Sequence, residues 1–93
     1  MKIRISPAIV EKLESRNISE KDLCQCFENI EGGYLEDIRE EHKTDPATQW
    51  FVAPTNRQRK LKVMFILRDG HFDIKSAYDA TDQICEIYKK YGF

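Results

Sequence analysis

The tightest constraint on this chain is the dipeptide Asp69-Gly70. Before it, Leu61, Val63, Phe65 and Leu67 alternate with Lys60, Lys62, Met64, Ile66 and Arg68, the period of two that marks a strand with one core face. After it, Phe72, Ile74 and Ser76 continue the alternation as far as Tyr78. Asp-Gly between two such runs predicts a two-residue hairpin turn, because both central residues of that turn need positive φ. Counting outward pairs Arg68 with His71, Phe65 with Ile74, Met64 with Lys75 and Leu61 with Tyr78. On that register Leu61, Val63, Phe65, Leu67, Phe72, Ile74 and Ser76 share one face, and Lys62 and Lys75 are diagonal neighbours on the other.

Helices flank this hairpin. Ser6-Pro7 is a helix start, a hydroxyl cap followed by proline at the first helical position, where its missing N–H costs nothing. Ile9, Val10 and Leu13 form a short apolar stripe and Asn17 is a stop. Ser19 restarts the chain with Asp22 three residues on, as in a capping box. Leu23, Cys26, Phe27 and Ile30 follow at helical spacing until Gly32-Gly33. Tyr34 to Glu41 reads as a charged edge strand, His42 to Pro46 as a loop, and Trp50 to Ala53 as a buried strand stopped at Pro54. A last helix is expected from about Ala80 to Tyr91, capped by Asp79 or Thr81, with Ile84, Ile87, Tyr88 and Tyr91 on its apolar side. The expected fold is therefore α+β: two N-terminal helices, an antiparallel four-stranded meander and a C-terminal helix, with Met1 to Ile5 available as a short extra strand. Ninety-three residues, 41% hydrophobic, suffice for one domain spanning 1–93 and no separate cofactor domain.

The charge is unevenly placed. Residues 1–50 carry seven Lys/Arg against eleven Asp/Glu, and residues 51–93 carry eight against five, so a net charge of −1 conceals an acidic front and a basic back. That balance argues against a protein that coats nucleic acid, and no DNA partner is expected for the protein on its own, but it leaves room for a localised positive face. No run approaches the ~20 apolar residues of a membrane span, and Met1 to Ser6 lacks the apolar stretch of a secretory signal; a cytoplasmic location is expected. Cys24, Cys26 and Cys85 lack paired metal-ligand spacing and read as reduced thiols, Cys26 and Cys85 in the core. No phosphate-binding glycine loop, metal motif or nucleophile elbow is present, and neither metal nor cofactor is expected.

What remains is a constellation of cations. Arg57, Arg59 and Lys60 precede the hairpin, Lys62 and Lys75 project from it, and Tyr78 ends it. Guanidinium forks suit phosphate oxygens and stay charged at any relevant pH, so Arg57 and Arg59 are candidate phosphate clamps, although polar loop residues of this kind are equally often plain surface. Lys60 and Lys62 are further candidates for substrate binding. His71 follows the turn and should face solvent, whereas His42, beside Arg39, Glu40 and Glu41, is the better candidate acid-base. Asp37, Glu40 and Glu41 could act as paired carboxylates, but acids on an edge strand more often guard it against pairing. Trp50 reads as core.

The segment WFVAPTNRQRKLKVMFILRDGHFDIKSAYDATDQICEIYKKYG, Trp50 to Gly92, resembles the RelE/BrnT-like toxins of bacterial toxin–antitoxin pairs, whose cores carry a GR-x-L-x-V strand, a turn, an I-x-S-A-R strand and a helix bearing tyrosine. RNISEKDLCQCFEN, Arg16 to Asn29, is similar to their HGVS-FEEA-xxVF helix. The resemblance implies a RelE-like fold and a small metal-independent ribonuclease that cuts RNA, free or on the ribosome, by attack of the ribose 2′-hydroxyl, with a cognate antitoxin as partner. Arg59 stands where the family has the Arg of GR. Tyr78 replaces the Arg of SAR, with Lys75 in the same strand as a substitute cation, and Asn17 replaces the His of HG. The implied roles are Arg59, Lys75, Tyr78 and His42 in catalysis, and Arg57, Lys60 and Lys62 in holding substrate. The alternative is a RelE-fold binding module without catalysis. Leu35 to Thr55 also resembles, as LEDxREEHxTDPxTxWFVAPT, sequences with names related to ADP-ribosyl-(dinitrogen reductase) hydrolase; that activity needs clustered carboxylates and space for a dinucleotide-sized ligand, which one dispersed acidic strand does not supply.

Overall fold

The computed structural model describes residues 2–39 and 44–93. Its elements run β1 (Ile3–Arg4), α1 (Pro7–Ser15), α2 (Glu20–Asn29), β2 (Leu35–Glu36), β3 (Thr48–Pro54), β4 (Lys60–Arg68), β5 (His71–Asp79) and α3 (Asp82–Tyr91). The strands form one five-stranded sheet ordered β1-β5-β4-β3-β2. β2 to β5 are antiparallel neighbours, but β1 joins the outer edge of β5 in parallel, Ile3 beside Phe72 and Arg4 beside Asp73. The expected four-stranded antiparallel meander is thus a mixed sheet of five. Arg4 holds the added strand with a two-pronged contact to Asp73, Nη2 lying 3.0 Å from Oδ2, and a further bond to the Arg68 carbonyl. The edge strand expected over Tyr34 to Glu41 is shorter, pairing only Leu35 with Trp50 and Glu36 with Gln49; Glu40 and Glu41 lie outside the described residues.

The turn has the expected form, Asp69 and Gly70 having φ of 53° and 74°. From there the register follows the count through Arg68–His71 and Phe65–Ile74, then shifts: Met64 pairs with Ser76, Val63 with Ala77, Lys62 with Tyr78 and Leu61 with Asp79. Lys75 is the extra residue of a β-bulge. Beyond it every β5 side chain changes face, so Ala77 joins the core and Ser76 and Tyr78 move to the face of Lys62. The expected pairs Met64–Lys75 and Leu61–Tyr78 are corrected accordingly.

Helices cover both faces. Phe27 of α2 packs its ring 4.8 Å from Phe51, 5.7 Å from Phe65 and 4.8 Å from Phe72. On the opposite face, Tyr88 of α3 meets Trp50 at 5.9 Å. Trp50 and Phe51, adjacent in β3, necessarily point to opposite sides. α3 is capped by Thr81, whose hydroxyl accepts from the Ile84 amide; it buries Tyr88 but leaves Ile87 and Tyr91 exposed, against expectation. Leu67, close to the hairpin turn, is also exposed. Tyr88 donates from its hydroxyl to the Gly33 carbonyl at 2.8 Å, and Gly33 N–H donates to Gly92 O at 2.7 Å. A Cβ on Gly32 would lie 2.7 Å from the Tyr88 hydroxyl, so this close approach requires glycine.

α1 ends in a Schellman motif. Asn17 takes φ of 57° and donates its N–H to Glu14 O, while Ile18 N–H reaches Leu13 O and both apolar side chains are buried. The outward carbonyls of Arg16 and Asn17 are left for another donor.

Candidate functional site

Arg59 takes those carbonyls. Its Nη2 donates to Arg16 O at 2.9 Å and its Nη1 to Asn17 O at 2.7 Å. Nε and Nη2 form a fork on Asp79, 2.7 and 3.1 Å from its carboxylate oxygens. One guanidinium therefore ties the end of α1 to the end of β5, a cation at a helix C-terminus. The bonds from Arg59 hold the Asp79 carboxyl below its usual range, and Asp79 in turn raises Arg59. Arg57 is exposed on the preceding loop, whose turn is set by Thr55, with its hydroxyl accepting from the amides of Arg57 and Arg59. A groove of about 940 Å³ lies between this loop and the two N-terminal helices. Its walls include Glu14, Glu20 and Asp22 beside Arg57 and Arg59, a mixed lining that does not favour a polyanion.

Lys62 lies on the other side of the sheet in a different environment. Only 6% of it is exposed, in the middle of β4. Its Nζ sits 4.6 Å from the centre of the Trp50 ring and 5.7 Å from that of Tyr78. No hydrogen bond or ion pair holds it among the described residues, yet no fully buried side-chain nitrogen or oxygen there lacks a partner, so the ammonium itself touches solvent. Its stem is packed and only an edge of its tip reaches water. Tyr78 is directly opposite Lys62 because of the bulge at Lys75. Arg16 closes the arrangement: its Cζ lies 5.9 Å from the Tyr78 ring centre, and its Nη1 donates to Ala77 O at 3.1 Å and reaches Ser76 Oγ at 3.4 Å. This is the stretch of β5 beyond the two residues that β1 covers.

The sequence-derived cluster is thus divided. Arg57 and Arg59 border the acid-lined groove; Lys60, exposed, alternates onto the face of Lys62 and Tyr78; and Lys75 is exposed at the bulge. His42 lies outside the described residues. His71 is half-buried, its Nδ1 2.9 Å from Asp69 O. Asp37, expected as one of a carboxylate pair, is buried and accepts from Arg39 through both oxygens. Arg16, Trp50 and Ser76 were not read as site residues. The only signal for Trp50 was its place in a buried strand near the cations, and Arg16 had none, since its role depends on where α1 stops. Among the described residues no group of three or more His, Cys, Asp or Glu is placed to hold a metal ion, and none of their helices is long and apolar enough to cross a membrane.

No protein-family model, curated protein or solved structure matches this chain. The described residues form an α+β fold with three helices and a five-stranded mixed sheet, bearing a cation on an aromatic floor on its α3 side.

Proposed function

We propose that this protein binds RNA through the phosphate backbone at Lys62, on the sheet face shared with α3, as the RNA-directed member of a bacterial toxin–antitoxin pair. One observation carries the reading: a lysine only 6% exposed over its whole length, whose ammonium has no anion beside it among the described residues. Burying a charge is unfavourable without a counter-charge, and an incoming phosphate supplies one. The partner that silences it is an acidic protein covering this face.

Metal-independent cleavage is the second reading, favoured by the position of Tyr78 opposite Lys62. There the ribose 2′-oxygen attacks phosphorus, the 5′-oxygen leaves with a proton from the Tyr78 hydroxyl, Lys62 stabilises the charge on phosphorus, and His42 is the base assigned from sequence alone. Against it stands the engagement of Arg59 in the fold.

The test combines binding of purified protein to a fluorescent single-stranded RNA with gel analysis of the same RNA, for wild type and Lys62→Met. Binding that Lys62→Met weakens, with intact RNA, supports the binding reading. Fragments ending in 2′,3′-cyclic phosphate, lost in Tyr78→Phe, support cleavage. Wild-type protein that neither binds nor cuts RNA refutes both.

A further inference from the structure

We infer that Arg16 and Lys62 form one two-cation site astride Tyr78, taking adjacent phosphates of an RNA strand, and that the Arg59–Asp79 clamp is the device that positions Arg16. The inference rests on the RNA-binding reading and adds to it a residue, a stoichiometry and a support.

Both cations address the same ring, Lys62 Nζ at 5.7 Å and Arg16 Cζ at 5.9 Å from its centre. Neither takes part in an ion pair among the described residues, although Arg4, Arg39 and Arg59 all do. Two like charges against one ring repel each other, and a phosphate on each offsets that repulsion. Arg16 uses only Nη1 on the protein, for the Ala77 carbonyl and Ser76 hydroxyl, so Nη2 and Nε remain as a donor pair for phosphate oxygens. β1 pairs with β5 only at Phe72 and Asp73, so among the described residues no strand covers the edge of β5 beside Ser76 and Tyr78.

Arg16 is the C-cap of α1, where a long side chain has no helical turn above to hold it. Arg59 fixes its backbone: Nη2 binds the Arg16 carbonyl, Nη1 the Asn17 carbonyl, and the fork on Asp79 anchors the guanidinium to the residue after Tyr78. The strand that bears the ring and the backbone of Arg16 are thereby joined through one side chain. Arg59 is a positioning residue, with four of its five N–H donors engaged in the fold.

The experiment measures anisotropy of a labelled single-stranded RNA over a series of salt concentrations, for wild type, Lys62→Met, Arg16→Gln, Arg59→Lys and the double variant Arg16→Gln/Arg59→Lys, each checked for wild-type circular dichroism. Lys62→Met and Arg16→Gln should each weaken binding by roughly tenfold and flatten the slope of log affinity against log salt by about 0.7, the loss of one phosphate contact. Arg59→Lys keeps the charge but loses the fork; it should weaken binding like Arg16→Gln, and the double variant should bind no worse than Arg16→Gln alone. A merely structural role for Arg59 would add to the Arg16 effect instead, and overturns the positioning claim. Wild-type affinity and slope in Arg16→Gln overturn the two-cation site. Should wild-type protein fail to bind RNA at all, titration with inorganic pyrophosphate, followed by NMR shifts of the Arg16 and Lys62 side chains, separates the cases. Shifts there retain the anion site without RNA as its ligand, and no shifts overturn the inference too.

Discussion

Lys62→Met is expected to cost RNA affinity and almost no stability. Methionine keeps an unbranched stem of comparable length against Trp50, Val52 and Met64, so packing is largely retained. What disappears is the attraction of the ammonium for two rings, at 4.6 and 5.7 Å; contacts of this kind contribute about 0.5–2 kcal/mol. In the opposite direction, an ammonium with no hydrogen-bond partner on a packed stem carries a desolvation cost of about 1–3 kcal/mol, towards the lower end here because its tip meets water. The two nearly cancel, leaving the variant within about 1 kcal/mol of wild type. Urea unfolding followed by circular dichroism gives the difference; fluorescence of Trp50 is a second probe but is itself perturbed by the substitution. A loss of about 3 kcal/mol or more, on the scale of a broken core contact, would refute the reasoning and make Lys62 a structural residue.

Phe27→Ala removes the ring that joins α2 to Phe51, Phe65 and Phe72, and should destabilise by about 3–5 kcal/mol; a change below about 1 kcal/mol in urea would contradict the packing described. Burial pushes the Cys26 thiol up to about 12, so alkylation of native protein should reach Cys24 and Cys85 first and Cys26 only on unfolding. Equal rates at all three, read by mass spectrometry, would contradict its burial. The folded-state pKa of Asp79 is lowered, so its stabilisation is present above the unfolded carboxyl value and is lost as pH falls through the folded one. Wild type should therefore lose stability more steeply than Asp79→Asn between about pH 5 and pH 2, by a small and salt-sensitive margin because the carboxylate is 68% exposed; parallel curves would mean no clamp in solution.

The sequence was most legible where structure is local. Asp69-Gly70 specified its turn, Asn17 its helix stop, and Ser19 with Asp22 a capping box that forms in full. Non-local features were opaque. Met1 to Ile5 was readable as a short extra strand, which forms at Ile3 and Arg4, but nothing there announces Phe72 and Asp73 as its partners, because the pairing depends on an edge that exists only after folding. The bulge at Lys75 has no glycine or proline to mark it, so period-two counting carried Met64 and Leu61 onto the wrong partners. The site suffered in the same way. Arg59 was legible as a cation, whereas its Asp79 partner lies twenty residues on and its carbonyl partners lie at a helix end across the fold. Lys62 was legible as outward-facing, and the covering of that outer face by α3 was not.

The bulge makes β5 a strand written in two parities. From His71 to Ile74 its even positions belong to the α2 side, and from Ser76 onward its odd positions do. Lys75 is the phase shift between them. Deleting that one exposed residue removes no contact of the core and restores a regular ladder on the same partners, with Ile74 and Ala77 still inward and Ser76 and Tyr78 still outward. A single-codon deletion here should accordingly be tolerated, with urea unfolding close to that of wild type. Homologous strands should therefore be aligned across Lys75 as two segments with independent frames.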